Sequence, residues 1–263
     1  MTPELYRKLA PLGVTTAFAK PQDIHLNAFR RKPMLLEAPI QLRAGRYDVD
    51  AIGAFTYLGG SGAVFRHISS IGRFCAIAGS VITGSTEHPT NQLSPHPIFQ
   101  GGWEREWPQL APFYSRNMKS IAASRHTWFD QSGSRLGLIR IGNDVWIGES
   151  VYVRRGVTVG DGAIIASRSV VVSDIEPYMI VGGVPARAVR RRVPERVAEH
   201  LLSTKWWDYG LSALEGCDFR DAEGAGERIA ENIASGRARP WKGRIISVQA
   251  DEAISIEEGD PFE

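Results

Sequence analysis

Six histidines are the side chains best suited to moving a proton near neutral pH in this chain, because an unperturbed imidazole titrates at about 6.5. A base of that strength can take the proton of a hydroxyl and make it a nucleophile. His88 stands in Glu87-His88-Pro89 and His96 in Ser94-Pro95-His96-Pro97. His67 falls at an outward position of a repeat described below, while His25, His126 and His200 have no supporting context. No cluster has the spacing of metal ligands, so no catalytic metal is expected. A lone histidine is more often structural than catalytic. Residue type alone therefore leaves His88 between a general base and a polar residue at the start of a loop. Phe99, Trp103 and Trp107 follow closely. Their rings suit either stacking on a ligand or burying the segment against a neighbouring subunit. Arg187, Arg190, Arg191 and Arg192 form a cationic cluster further on.

A short period announces the elements that carry these residues. From Ile141 the chain repeats every six residues: Ile141-Gly-Asn-Asp-Val-Trp, Ile147-Gly-Glu-Ser-Val-Tyr, Val153-Arg-Arg-Gly-Val-Thr, Val159-Gly-Asp-Gly-Ala-Ile and Ile165-Ala-Ser-Arg-Ser-Val. The first position is Ile or Val, and the fifth is small or β-branched: Val145, Val151, Val157, Ala163, Ser169. A fixed period of this kind means a quasi-one-dimensional fold whose units pack on their neighbours. Six residues fit one short strand plus a corner, and three such units close a triangular coil. Ile141 is then expected beneath Val159 and Ile147 beneath Ile165, with first positions filling the core. An earlier tract runs from Ile52 through units starting at Leu58 and Val64, and Ser70 reads as an extra residue that shifts the phase. Units at Ile71 and Ile77 resume it, with Cys75 at a fifth position and so expected to be buried.

The period vanishes from about His88 to Ile139. Such a break reads as a long loop excursion on one face, where repeat proteins place binding residues. The segment is too short and too poor in apolar periodicity to suggest a second domain. The expected architecture is an all-β solenoid. Residues 1–50 form an N-terminal extension adding an initial strand and loops, and 51–190 a parallel β-helix with the excursion at about 88–139. Residues 191–245 form a helical segment, beginning at Pro194 with a stripe of Val197, Leu201 and Leu202. That segment is expected to cap the exposed end of the solenoid, with Trp206 and Trp207 as packing residues. Residues 246–263 hold six carboxylates and no Lys or Arg, which reads as a disordered acidic tail. The 43% hydrophobic content suits one globular domain, and the net charge of +2 argues against a general nucleic-acid binder. No run of 18 apolar residues and no signal-peptide core occurs, and two cysteines make no disulfide framework. A cytoplasmic protein is expected.

The chain resembles the hexapeptide-repeat acyltransferases, in particular their xenobiotic acetyltransferase branch, which includes streptogramin A and hexapeptide-type chloramphenicol acetyltransferases. Five blocks carry the resemblance: Ile71-Gly-Arg-Phe-Cys-Ala-Ile-Ala; Glu87-His88-Pro89 with Ser94-Pro-His-Pro-Ile-Phe; Gly102-Trp103-Glu104; Ile141-Gly-Asn-Asp-Val-Trp-Ile-Gly; and Pro177-Tyr-Met-Ile-Val-Gly-Gly-Val-Pro-Ala-Arg with Lys205-Trp-Trp-Asp. They span about 140 residues in order, half the chain. The segment from Phe113 to Leu138 is longer than in the antibiotic-modifying members, and the first fifty residues match nothing in them.

The resemblance implies a left-handed parallel β-helix, a homotrimer with sites between adjacent coils, and acetyl transfer from acetyl-CoA to an acceptor hydroxyl. It places the general base at His88. The Gly148 N–H becomes a candidate donor to the oxyanion of the tetrahedral intermediate, although a glycine after Trp146-Ile147 is also demanded by the turn. Ala166 and Ser167, one coil above, suit the pantetheine arm of CoA. Gly183 and Pro185 border its adenine, and Arg187, Arg191 and Arg192 meet its phosphates. His96, Phe99 and Trp103 are candidate acceptor contacts, with loop filling the stronger expectation for His96.

The function expected is O-acetylation of a small molecule or carbohydrate. The alternatives are antibiotic acetylation, a non-catalytic β-helix scaffold, or a zinc hydrolase of the γ-carbonic anhydrase kind. The last needs several coil-spaced histidines, and only His67 and His88 qualify. Nucleotidyl transfer would require a separate Gly-rich domain that the first fifty residues lack.

Overall fold

The computed structural model describes residues 1–26, 32–130, 137–257, 259, 261 and 262. The chain forms two compact units, one of Met1–Gly84 with Leu138–Glu263 and one of Ser85–Gly137.

The first unit is a parallel β-helix built on the six-residue period. Ile141 pairs in register with Val159, and Ile147 with Ile165. The stack continues across the excursion, since Ile71 pairs with Ile141 and Ile77 with Ile147. First-position side chains from Ile52 to Val171 are buried in the axial core except in the bulged strand, where Phe65 takes the place of the half-buried Val64; Val145, Val151, Val157, Ala163 and Ser169 fill the fifth positions with no more than 3% exposure. Each Ile or Val so buried contributes on the order of 1.5–3 kcal/mol. Cys75 is 1% exposed, and burial pushes its thiol up to about 12.

The corners explain two further positions of the hexad. Fourth positions carry the left-handed backbone: Phe55, Phe74, Ser80, Asp144, Ser150 and Arg168 have φ between 55° and 62°. Second positions face the next coil. A Cβ on Gly53, Gly72, Gly142, Gly148 or Gly160 would lie 2.5–2.8 Å from backbone atoms of the coil above. The glycine at 148 is thus demanded by axial contact rather than by the turn that the sequence suggests.

The phase shift read at Ser70 lies slightly earlier. Against the preceding coil the register slips between Tyr47 and Val49, opposite Phe65–Ile68, and against the following coil between Ile68 and Ser70. The strand is bulged at His67, whose φ is 56°.

Two expectations about the ends are corrected. The solenoid starts well before residue 51, because Val14–Thr15 pairs with Ile40–Gln41 and Leu35–Leu36 with Ala51–Ile52, all parallel. Residues 246–263 are not a disordered tail: Arg244–Val248 and Ile254–Glu257 form a hairpin that pairs antiparallel with Met34–Ala38. Ile245, Ile246 and Val248 are buried there, so an apolar strand outweighs the carboxylates around it. Glu258, Asp260 and Glu263 lie outside the described residues. This hairpin covers the N-terminal edge of one sheet, which the chain would otherwise leave unpaired.

The helical segment, with helices at Glu195–Thr204 and Ala222–Ala234, runs along one corner of the coils. Trp206 packs on Phe74 at 4.8 Å, and Trp241 on Phe55 at 4.7 Å between ring centroids. Both phenylalanines occupy left-handed corner positions, which project aromatic rings outward for the helices to cover. Trp206 and Trp207 are buried, as expected of packing residues. Arg73, 4% exposed, bonds Glu37 at 2.8 and 3.0 Å and Asp208 at 2.7 Å. It ties the N-terminal strand, a coil and the helical segment together, and pairing is what makes its burial tolerable.

The second unit lacks coil structure. It carries helices at Ala111–Arg116 and Met118–Phe129 and short turns at Pro97–Gln100 and Pro108–Leu110. The lost six-residue period marks its limits but cannot report helices as weakly amphipathic as these.

Candidate active site

On the first unit, one corner of the β-helix forms a track of small residues. Trp146 pairs with Ile164, and Ile164 with Ile180, as an outward apolar ridge; Trp146 is 52% exposed. Beside this ridge run Gly148, Ala166 and Gly182, each next to the residue it stacks on: a Cβ added at Gly182 would come within 3.2 Å of the Ala166 Cβ. The Met179–Gly183 and Ala186–Arg191 strands make an antiparallel hairpin that turns through Val184-Pro185, and Gly182 is in register with Arg187. The track of small residues therefore ends beside the Arg187 backbone. Gly183 has φ 101° and its N–H donates to the Ser169 hydroxyl at 3.2 Å. Gly183 and Pro185 are both exposed on this hairpin.

The amides along the track are not equally available. The Gly148 N–H donates to the Ile165 carbonyl at 2.9 Å, and the Ala166 N–H to Val181 at 2.9 Å. Both belong to the ladder that holds the coils together. Among the described residues the N–H groups of Glu149 and Ser167, the next residues along, have no hydrogen-bond partner. The Gly148 N–H, the candidate donor read from the sequence, is thus engaged while the Glu149 N–H beside it is open; the six-residue pattern does not say which amide of a corner the ladder consumes.

The three candidate phosphate arginines differ in the same way. Arg192 donates to the Asp144 carboxylate at 2.8 Å and to the Gly162 carbonyl at 3.1 Å. Arg191 pairs with Glu195 at 2.8 Å. Arg187 is exposed, and among the described residues it bonds only its neighbour's carbonyl, Ala186, at 3.0 Å.

On the second unit, His88 is exposed in a segment without regular structure, and it has no hydrogen-bond partner among the described residues. The Nδ1 of His96 accepts the Ile98 N–H at 3.2 Å and so caps the turn at Pro97–Gln100. The ring thus has a local structural contact within its own loop. Trp103 stacks near Trp107 at 5.1 Å, with His96 at 6.1 Å from Trp103. Phe99 lies apart from these rings, lining an apolar pocket of 420 Å³ with Leu93, Phe113 and Ile121. Asn117, Ser120 and Ser124 give that pocket a polar wall.

The family model for bacterial transferase hexapeptide (six repeats) matches residues 139–173, the most regular coils. A probable macrolide acetyltransferase of Lysinibacillus sphaericus is 37% identical over 145 residues, 53% of this chain and 68% of that protein. The chain belongs to the hexapeptide-repeat acetyltransferases. Membership makes the parallel β-helix a left-handed one. A chloramphenicol acetyltransferase of Escherichia coli is 36% identical over 148 residues, 55% of this chain, and the match spans 61% of its length. A galactoside O-acetyltransferase of Escherichia coli K12 is 48% identical over 52 residues, 26% of its length.

Proposed function

We propose that this protein is an acetyl-CoA-dependent O-acetyltransferase acting on the hydroxyl of a small molecule or carbohydrate. The observation that carries the reading is the track Gly148–Ala166–Gly182 leading to Arg187. A pantetheine arm needs a floor without side chains, unengaged amides along it, and a cation where the phosphates end. The Ser167 N–H suits the arm's amide carbonyl, and Gly183 and Pro185 border the adenine. Arg187 serves the phosphates with Arg191 as its neighbour. Arg192 is set aside because its guanidinium already joins two coil corners.

In the reaction His88 takes the acceptor hydroxyl proton as the oxygen attacks the thioester carbonyl. The tetrahedral oxyanion collapses, the C–S bond breaks and the CoA thiol leaves with a proton. The Glu149 N–H, in place of the Gly148 N–H, is the corner donor for the oxyanion. His88 is exposed and makes no hydrogen bond of its own among the described residues. This supports a site completed by a neighbouring copy, as in a homotrimer. Apolar outward residues on two coil faces, Trp146 and Ile164 on one and Ile82 and Tyr152 on the other, give copies a surface to share. A cytoplasmic location goes with an intracellular donor. Among the described residues no helix is long and apolar enough to cross a membrane.

A second reading narrows the acceptor to an antibiotic-like alcohol with a large apolar body. It is favoured by the 420 Å³ apolar pocket around Phe99 and Phe113 and by relatives named for chloramphenicol and macrolides. Among the described residues no three His, Cys, Asp or Glu side chains gather as metal ligands.

Calorimetric titration with acetyl-CoA, without acceptor, tests the donor. Micromolar binding is expected, and absence of binding would leave a β-helix with no claim to acetyl transfer. Thiol release against galactosides, chloramphenicol and macrolides then separates the two acceptor readings.

A further inference from the structure

We propose that His67 is a positioning residue for the transfer reaction, clamping the point where the chain leaves the coils on its way to His88. The inference rests on His88 being the base.

The strand Val64–Ile71 departs from coil geometry at His67, with register slips on either side of Ile68. His67 has φ 56°, a left-handed conformation inside a strand, and its N–H donates to Asp48 Oδ2 at 3.3 Å. Its ring Nδ1 lies 2.9 Å from the carbonyl oxygen of Gly84, the last residue of the first unit. A carbonyl only accepts, so Nδ1 carries the proton. Thr83, just before, exchanges two bonds with the Arg66 backbone: its hydroxyl accepts the Arg66 N–H at 2.8 Å and donates to the Arg66 carbonyl at 3.0 Å. Gly84 has φ 59°, and a Cβ there would lie 2.4 Å from the Arg66 oxygen, so the exit permits no side chain.

The same strand holds the return. Ile68 pairs with Ile139, and the Ser69 hydroxyl donates to the Ile139 carbonyl at 3.1 Å. His67, Ile68 and Ser69 thus anchor the residue before the 85–137 unit and the second residue after it. An ordinary coil has no residue to spare for this. A bulge supplies one, and bulges re-aim chains at sites. A non-glycine residue held at positive φ persists only where its surroundings fix it, and such outliers cluster at functional sites. His88 follows Gly84 by four residues, so wherever Gly84 is held limits where the imidazole reaches. Misplacing a catalytic group by about 1 Å costs roughly a hundredfold in rate.

Two variants of the full chain separate clamp from mere backbone. His67→Asn keeps an N–H donor at the Nδ1 position and tolerates the left-handed conformation, whereas His67→Gly keeps only the conformation. Amide exchange of the peptide covering residues 84–90 should rise about fivefold or more in His67→Gly, the loss of one hydrogen bond, and stay near wild type in His67→Asn. Turnover, read as thiol release from acetyl-CoA with chloramphenicol or a galactoside, should fall about 10- to 100-fold in His67→Gly. Acetyl-CoA affinity and melting temperature should hold, and His67→Asn should restore the rate. Wild-type exchange at 84–90 in His67→Gly, or equal loss in both variants, overturns the clamp. His88→Ala run alongside keeps the two ideas apart: full turnover in that variant removes the base assignment, whereas exchange at 84–90 judges the clamp by itself.

Discussion

Arg192 donates to the Asp144 carboxylate at 2.8 Å and, through the same nitrogen, reaches the Gly162 carbonyl at 3.1 Å. Asp144 and Gly162 are fourth-position residues of successive coils, so one guanidinium straps two corners. Arg192 also stacks near Tyr178, with its guanidinium carbon 5.6 Å from the ring centroid. Charge near a proposed phosphate site is therefore not free charge.

Replacing Arg192 by Ala should cost about 1.5–3 kcal/mol of stability, the range for hydrogen bonds to charged groups, and leave acetyl-CoA affinity nearly unchanged. Burial holds the Asp144 carboxyl above its usual range, with Arg192 opposing the shift. A carboxyl raised in the folded state contributes stability that is full below its unfolded pKa and is lost as pH rises through the folded value. Without Arg192 the shift grows, so the variant's deficit should be largest near pH 7 and shrink towards about pH 4. Chemical denaturation of both proteins across that range checks the sign; a deficit that widens on acidification would contradict it.

Arg187→Ala should behave in the opposite way. Stability should hold, because the side chain is exposed and makes no ion pair among the described residues. CoA should bind about tenfold more weakly, the low end of a charge-assisted bond, with a smaller loss for dephospho-CoA. Equal losses for both ligands would move the phosphates elsewhere.

His88→Ala should lower turnover by about 10²–10⁴-fold, the usual contribution of a general base. Acetyl-CoA binding should stay near normal, since the donor track belongs to other residues. Steady-state kinetics beside calorimetry reads both, and an unchanged rate rules out the assignment.

Gly148→Ala probes the coil contact. Its Cβ would sit 2.6 Å from the Ser167 nitrogen, where backbone has to shift. A loss of about 1–3 kcal/mol is expected, in the range of overpacking, together with weaker acetyl-CoA binding because the Ser167 corner moves. Calorimetric melting that matches wild type would mean that the coils separate freely.

Much of the β-helix was legible in the sequence because its contacts are periodic. Ile141, Ile147, Val153 and their successors repeat at the spacing of the coil, and burial at the first and fifth positions follows from that spacing alone. Each hexad meets the same neighbours, so local pattern and tertiary contact say the same thing. The resemblance placed His88 and the Trp146–Gly148 and Ala166–Ser167 blocks, but it could not tell an amide engaged in the ladder from one left open. Gly148 and Glu149 are adjacent in the chain and differ only in which of them faces the coil above.

Contacts that no period encodes were decided by the tertiary structure alone. The Ile245–Val248 strand reads as part of an acidic tail until Met34–Ala38 offers it an edge. Arg192 reads as one of a run of cations until Asp144 and Gly162 meet it across coils. Phe55 and Phe74 occupy hexad positions that carry no required side chain, and only the helices laid over them make their rings part of a core. His67 reads as an outward histidine until the bulge turns it onto Gly84. In all but the His67 case, whose partner is one coil away, the partner lies far along the chain, and the pairing is selected by which buried strand edge, charge or ring would otherwise go unsatisfied.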